Sequence, residues 1–151
     1  MKLDYKPPGQ VAKSFMKDGS FVRGIRGPVG SGKSVACCME IMRRSINQQP
    51  NQQGVRKSRW AVIRNTNPQL KTTTIKTWRD WFGDDLGRFV WSPPYTHNVC
   101  FALGDKTTVE LEVIFLALDK QNDYHWYIQN DNKYWSHKPG KNNVRRRSFL
   151  Q

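Results

Sequence analysis

The chain has 151 residues, a length typical of one domain with its own hydrophobic core. Its 25 lysines and arginines against 12 aspartates and glutamates give a formal net charge of +13, which indicates a polyanionic partner such as nucleic acid, or an anionic surface. The apolar runs are far shorter than the roughly 20 residues of a membrane-spanning helix, and the N-terminus MKLDYKPPGQ lacks the apolar core of a secretion signal. Because Cys37, Cys38 and Cys100 form neither a disulfide framework nor a CxxC metal motif, a reducing cytoplasmic compartment is expected.

The first third of the chain predicts a short helix, a strand and a longer helix. The short helix is expected at 10–16, and a strand-like apolar run at 21–25 ends in a turn at Gly27. Apolar residues at three- and four-residue steps predict a helix over 33–46, with one face formed by Val35, Met39, Met42 and Ile46. The stretch 47–58 is rich in Asn, Gln and basic residues and predicts an exposed loop.

The middle of the chain continues this alternation of strands and helices. Residues 60–63 predict a buried strand, and 69–82 predict a helix with an apolar face made of Leu70, Trp78, Trp81 and Phe82. Residues 99–103 and 107–118 predict a hairpin, in which Val109, Leu111 and Val113 alternate with Glu110 and Glu112. That alternation favours a hairpin partner with one exposed face over a central strand. The order of elements predicts an α/β sheet.

The composition changes after Asp119, so we divide the chain into 1–119 and 120–151. The second part carries seven lysines and arginines against two aspartates, with six aromatic residues and few aliphatic ones. Aromatic residues interleaved with basic ones can stack on bases and neutralise phosphates. The alternative is a partly disordered basic extension. Arg145–Arg147 favour non-specific DNA binding under either interpretation.

The clearest motif is the octapeptide GPVGSGKS at Gly27–Ser34, which matches the pattern GxxxxGK[ST] in full. Glycines let successive backbone N–H groups turn inward and bind phosphate oxygens. Lys33 would reach the β- and γ-phosphates, the hydroxyl of Ser34 would bind Mg²⁺, and the following helix would add its positive N-terminal end. A strand before the loop and a helix after it are the structural context that this motif requires.

Other candidate residues are weaker. Asp119 follows the apolar run 114–118 and can be interpreted as a ligand of the Mg²⁺ shell, although a turn former at a strand end is preferred because no second carboxylate is adjacent. His97, His125 and His137 lack metal-ligand spacing and are expected to be exposed or structural. Cys37 and Cys38 are expected to be buried, as are four tryptophans, Trp60, Trp78, Trp81 and Trp91.

Three segments together carry a resemblance to a known family. The runs FVRGIRGPVGSGKSVACCMEIMRR, RWAVIRNTNPQLKTTTIKTW and VELEVIFLALD resemble the N-terminal ATPase region of the large terminase subunit of tailed phages, over about residues 5–119. The phosphate loop is common to many NTPases, whereas RNTNPQLKTTT is more particular to this family. The resemblance implies a P-loop NTPase-type sheet with flanking helices, apparently incomplete at its C-terminus, in a motor that uses ATP and Mg²⁺.

The resemblance also implies roles for individual residues. It places ATP on the loop residues Gly27, Pro28, Val29, Gly30, Ser31, Gly32, Lys33 and Ser34. Gln10 is where such ATPases often read adenine, although a solvated glutamine is an equal alternative. Arg64 is placed near a phosphate or the DNA backbone, with a surface arginine as the alternative. Many terminases have an arginine inside the loop, and here Arg26 just before it can substitute.

The implied partners are double-stranded DNA, the small terminase subunit, the portal and further copies in a ring, with no membrane. The chain departs from the family after Asp119, since the acidic Walker B strand, the coupling motif and the nuclease carboxylates do not appear in the sequence. Two hypotheses follow. The chain is either a fragment of a motor ATPase domain or a non-catalytic module that binds nucleotide or DNA. ATP binding with weak or absent hydrolysis is expected.

Overall fold

The computed structural model of the chain describes residues 4–118 and three later strands. The first half contains α1 (Gly9–Lys17), α2 (Lys33–Ile46) and β1 (Val55–Arg64). A helical stretch follows, made of α3 (Asn67–Gln69), a π-helix (Leu70–Ile75) and α4 (Lys76–Trp81), and then a 3₁₀ turn (Asp84–Leu86). The remaining strands are β2 (Gly87–Val90), β3 (Tyr95–Ala102), β4 (Thr108–Ala117), β5 (His125–Gln129), β6 (Trp135–Pro139) and β7 (Arg145–Arg146).

Four of the strands form one mixed sheet in the order β1-β4-β3-β2. β1 runs parallel to β4, with Trp60 opposite Val113, and the other two pairings are antiparallel. The strands β5, β6 and β7 form a separate antiparallel sheet in that order. The prediction of a mixed α/β fold with helices flanking a sheet is therefore confirmed.

The helices pack on one face of the four-stranded sheet. Every second residue of β4 points to this face and is buried, as the alternation predicted. These side chains form one hydrophobic core with α2 and the helical stretch, and its largest fully buried members are Trp78, Phe82, Phe115, Met39, Met42 and Leu70. On the opposite face Glu110 and Glu112 pair with Lys57 and Arg59 of β1. Although one face of β4 is polar, β4 is a central strand, so the prediction that it is not central was wrong.

All three predicted helices are found. α1 and α2 agree with the predicted ranges, and the predicted helix at 69–82 is present as the stretch from Asn67 to Trp81. Thr66 caps its start by accepting a hydrogen bond from the backbone N–H of Gln69 at 3.4 Å. The π-helical turn was not predicted, and it changes which side chains share a face. Trp81 is consequently 39% exposed instead of buried.

Two local predictions were wrong. No strand forms at 21–25, and Phe21 and Val22 are fully exposed, because this run has no neighbouring strand within residues 4–118. The predicted loop at 47–58 is shorter than expected, because β1 already begins at Val55. A turn fixes that start, since Asn51 Oδ1 accepts the backbone N–H of Val55 at 2.9 Å.

Candidate nucleotide-binding site

The loop at Gly27–Ser34 leads directly into α2, which packs beside β1. α2 runs antiparallel to β1, and near its end the hydroxyls of Ser45 and Ser58 are 2.9 Å apart, close to the beginning of β1. The other end of α2 therefore lies beside the end of β1, where Arg64 is close enough to Cys37 for its charge to affect the pKa of that thiol. Ligands of open α/β sheets bind at this edge.

The loop itself is a tight turn that depends on two glycines. Gly30 and Gly32 have φ angles of +79° and +76°, a backbone conformation that disfavours side chains. The Ser31 hydroxyl donates to the carbonyl oxygen of Pro28 at 2.8 Å. Lys33 Nζ donates to the same oxygen at 2.5 Å and to Ser31 Oγ at 3.1 Å. The ammonium group is thus held over the loop, where it can meet a phosphate.

The beginning of α2 supplies the second part of the site. Its N-cap is Gly32, which offers no side-chain acceptor, and its first turn contains no acidic residue. The first backbone N–H groups of α2 therefore lack a capping side chain, and an anion can take that position. Ser34 is half-buried in this turn, so a hydroxyl is available for the metal ion that the motif implies. Gly32 also cannot be replaced freely, because a Cβ there would lie 2.8 Å from Cγ of Pro8.

The other predicted site residues are placed less closely together. Arg64 Nε donates to Thr74 Oγ1 of the π-helix at 2.7 Å and is half-buried at the same sheet edge as the loop. Arg26 is exposed and makes no side-chain hydrogen bond or ion pair within residues 4–118. Gln10 is exposed on α1 and lines a cavity of about 440 Å³ that reaches Gly24 before the loop. Neither Arg26 nor Gln10 is hydrogen-bonded to Lys33.

An ion cluster that the sequence analysis did not predict is centred on α2 and consists of Glu40 with Arg23, Arg43 and Arg44. Glu40 is buried in α2, and its carboxylate binds Arg43 at 2.7 Å, Arg44 at 2.8 Å and Arg23 at 3.0 Å. Burial would raise the pKa of Glu40, but the hydrogen bonds from Arg43, Arg44 and Arg23 outweigh it and lower the pKa to about 2. The spacing of Glu40 from Arg43 and Arg44 was the available signal, whereas nothing in the sequence indicated Arg23.

The cysteines and His97 have no part in the loop. Burial raises the pKa of the Cys38 thiol to about 12, and Cys38 is buried as expected, whereas Cys37 is exposed against expectation. His97 was expected to be exposed or structural, and the structure shows the second. It is fully buried, and its Nδ1 accepts a hydrogen bond from the indole N–H of Trp78 at 2.8 Å. Trp91 is exposed, contrary to prediction.

Several predicted residues lie in the part of the chain that the structure does not describe. Asp119 and the side chains of 120–151, including those of His125, His137 and Arg145–Arg147, lie outside the described residues. Among the residues that are described, no group of three or more His, Cys, Asp or Glu side chains is placed to hold a metal ion. The helices of this same part of the chain are too short or too polar to cross a bilayer.

A search against family models, curated proteins and solved structures gave no match to this chain. The function proposed below therefore rests on the sequence and the geometry of the loop.

Proposed function

We propose that the chain is a P-loop nucleotide-binding domain of the terminase motor type, which binds ATP with Mg²⁺ at Gly27–Ser34. The observation that carries this proposal is the loop, whose motif is complete in sequence and which leads directly into α2 with Lys33 bonded across it, although the strand that usually precedes this motif does not form at 21–25. The position of α2 supports it, because this helix follows the loop directly and Cys37 in it lies near Arg64 at the carboxyl end of β1, an edge at which ligands of open α/β sheets bind.

The proposed mechanism is electrostatic. The backbone N–H groups of the loop and of the first turn of α2 bind the phosphate oxygens, and Lys33 exchanges its bond to Pro28 for the β- and γ-phosphates. The Ser34 hydroxyl would hold Mg²⁺, which supplies charge neutralisation of the transferring phosphoryl group. Arg64 is a candidate for an additional positive charge, and turning from Thr74 towards the loop would make it available.

The second candidate function is a module that binds nucleotide without hydrolysing it. It is favoured by one observation: within residues 4–118 no carboxylate forms a hydrogen bond or ion pair with the loop residues or with Lys33. Hydrolysis needs an acidic residue to hold the metal shell and to orient water. We therefore propose ATP binding for this chain and assign turnover only to the assembled motor.

Double-stranded DNA is the proposed polyanionic partner, in a ring of further copies with the small terminase subunit and the portal. The net charge of +13 supports this part of the proposal. Binding through phosphates predicts an affinity that falls steeply as salt rises, since each neutralised phosphate releases counterions.

The test of nucleotide binding is calorimetric titration of the whole chain with Mg-ATPγS. Lys33→Ala is the test variant, and Lys57→Ala is the matched control, because Lys57 is an exposed lysine on the outer face of β1 whose ammonium lies 3.6 Å from the carboxylate of Glu110. Saturable binding that Lys33→Ala abolishes and Lys57→Ala retains is the expected result. Equal binding by both variants, or no binding by the folded parent chain, refutes the proposal.

Turnover and DNA binding are then measured on the same proteins. Phosphate release above the Lys33→Ala background by the chain alone would show that the acidic partner is present and would overturn the non-catalytic alternative. DNA binding that weakens with salt and is indifferent to Lys33→Ala would place the DNA contact away from the loop.

A further inference from the structure

Arg23 stands shortly before the phosphate loop and contacts two other parts of the fold. Its Nη1 donates to the carbonyl oxygens of Phe15 at 2.8 Å and of Asp18 at 3.0 Å, which lie at the end of α1. The same nitrogen is 3.0 Å from Oε1 of Glu40 in α2, and the guanidinium stacks over the ring of Phe15 at 4.8 Å. One side chain therefore joins the segment that enters the loop to both neighbouring helices.

These contacts are largely shielded from water. The side chains of Arg23 and Glu40 are only 11% and 5% exposed. Charge-assisted hydrogen bonds in such surroundings are stronger than those of an exposed ion pair. Arg43 and Arg44 also bind Glu40, but both extend from α2 itself, so their bonds stay within one helix. Arg23 is the member of the cluster that connects different segments.

The segment before the loop has few other attachments. Residues 21–26 form no strand, and the apolar side chains of Phe21 and Val22 are exposed. In the described part of the chain the segment is therefore held by side-chain contacts in place of a β-ladder. A loop that binds phosphate through backbone N–H groups needs its ends fixed, because those groups must converge on one point.

We propose that Arg23 is a positioning residue of the phosphate loop, which holds the entering segment against α1 and α2 in the conformation that binds phosphate. This inference rests on the proposed nucleotide-binding function. Arg23 also donates hydrogen bonds to the carbonyl oxygens at the end of α1. Its contacts therefore couple the order of α1 to the affinity of the loop for nucleotide. Release of α1 loosens the loop and weakens nucleotide binding, and nucleotide binding in turn protects the end of α1.

The test compares two arginines that share one carboxylate. Arg23→Gln removes the bonds between segments, whereas Arg43→Gln removes a guanidinium from the same Glu40 within α2. In titrations with Mg-ATPγS, Arg23→Gln is expected to raise the Kd about tenfold, as it would if only about a tenth of the molecules kept an ordered loop. Arg43→Gln should stay within about twofold of the parent chain, since its population of ordered loops is unchanged. Equal shifts in the two variants would overturn the proposal.

Two further measurements cover the remaining outcomes. If Arg23→Gln does not fold, Arg23→Lys is titrated instead. It keeps the charge beside Glu40, but its side chain is shorter and lacks the planar group that stacks over the ring of Phe15, so an unchanged Kd refutes the positioning role. Hydrogen exchange of the amides of 24–32 without nucleotide separates the two proposals. If the parent chain binds no Mg-ATPγS, the nucleotide function is refuted. If the amides of 24–32 exchange no faster in Arg23→Gln than in Arg43→Gln, the positioning role of Arg23 is refuted.

Discussion

Replacing Glu40 by glutamine tests the energetics of the ion cluster behind the loop. The pKa of Glu40 falls from 4.5 to about 2 because three arginines bind its buried carboxylate. Each tenfold change in proton affinity corresponds to about 1.4 kcal/mol, so ionised Glu40 contributes about 3 kcal/mol at neutral pH. Glutamine keeps the shape and one acceptor oxygen but loses the charge. We expect Glu40→Gln to lower the free energy of unfolding by about 2–3 kcal/mol.

The assay is urea denaturation followed by circular dichroism at several pH values. The folded pKa of Glu40 is below the unfolded one, so its contribution is complete above about pH 4.5 and is lost as the pH falls towards about 2. The difference in stability between Glu40→Gln and the parent chain should therefore shrink over this range. Glu110→Gln is the matched control, because Glu110 is 45% exposed beside Lys57 and should cost less than about 0.5 kcal/mol. Equal effects of the two variants at pH 7, or a difference that does not change with pH, would refute this account.

Three further substitutions test the packing and the loop. Gly87→Ala should destabilise the chain by about 3 kcal/mol or more, because Gly87 has φ +152° and a Cβ there would overlap the backbone oxygen of Asn98. Thermal denaturation measures this loss, and an unchanged Tm would contradict it. Trp78→Phe should cost about 1–3 kcal/mol in urea denaturation, because it leaves the buried Nδ1 of His97 without a donor. Burial lowers the pKa of His97, so the parent chain should also lose stability as the pH falls below 6.5, and constant stability from pH 7 to 5 would argue against a buried neutral ring. Gly32→Ala should weaken Mg-ATPγS binding in calorimetry at least about tenfold, because the backbone conformation of Gly32 at the N-cap of α2 is strained for any side chain. An unchanged Kd would mean that this conformation is not the one that binds nucleotide.

Periodicity predicted the elements that carry most of the core. The steps of Val35, Met39 and Met42 located α2, and the alternation along β4 identified its buried face. These patterns succeed because each element buries one face against the rest of the fold, so the sequence records the geometry locally. The parallel pairing of β1 with β4 and the order of the strands could not be predicted, since they depend on contacts between residues far apart in the chain.

The errors have a shared physical cause. Phe21, Val22 and Ile25 have the composition of a strand, but a strand forms only when a neighbour accepts its hydrogen bonds, and residues 4–118 provide none there. Regular α-helical spacing predicts that Trp81 lies on the buried face. The π-helix at Leu70–Ile75 has more residues per turn, so it rotates Trp81 away from that face. Both errors arise because a local pattern was interpreted without the neighbours that determine whether its face is covered.

The candidate site was predictable to a similar extent. The loop motif and Lys33 could be located from the sequence because the proposed phosphate binding requires fixed residue types at fixed spacing. Arg64 is the last residue of β1, and its bond to Thr74 depends on how the π-helix packs against β1, which the sequence does not indicate. Arg23 carried no motif, since its role comes from meeting the carbonyl groups of α1 and the carboxylate of Glu40 in space.

These observations change which interactions are expected to control the loop. In a loop that follows a paired strand, backbone hydrogen bonds hold the entering segment, and single substitutions of side chains have little effect on it. Here the entering segment is held by the contacts of Arg23, while the Pro8 ring packs against Gly32 at the loop's other end. Since each such contact is worth only about 1–3 kcal/mol, the order of the loop is decided by a few side chains. Under the proposed function, residues that never touch a phosphate are therefore expected to change the affinity for nucleotide, although less than Lys33 does.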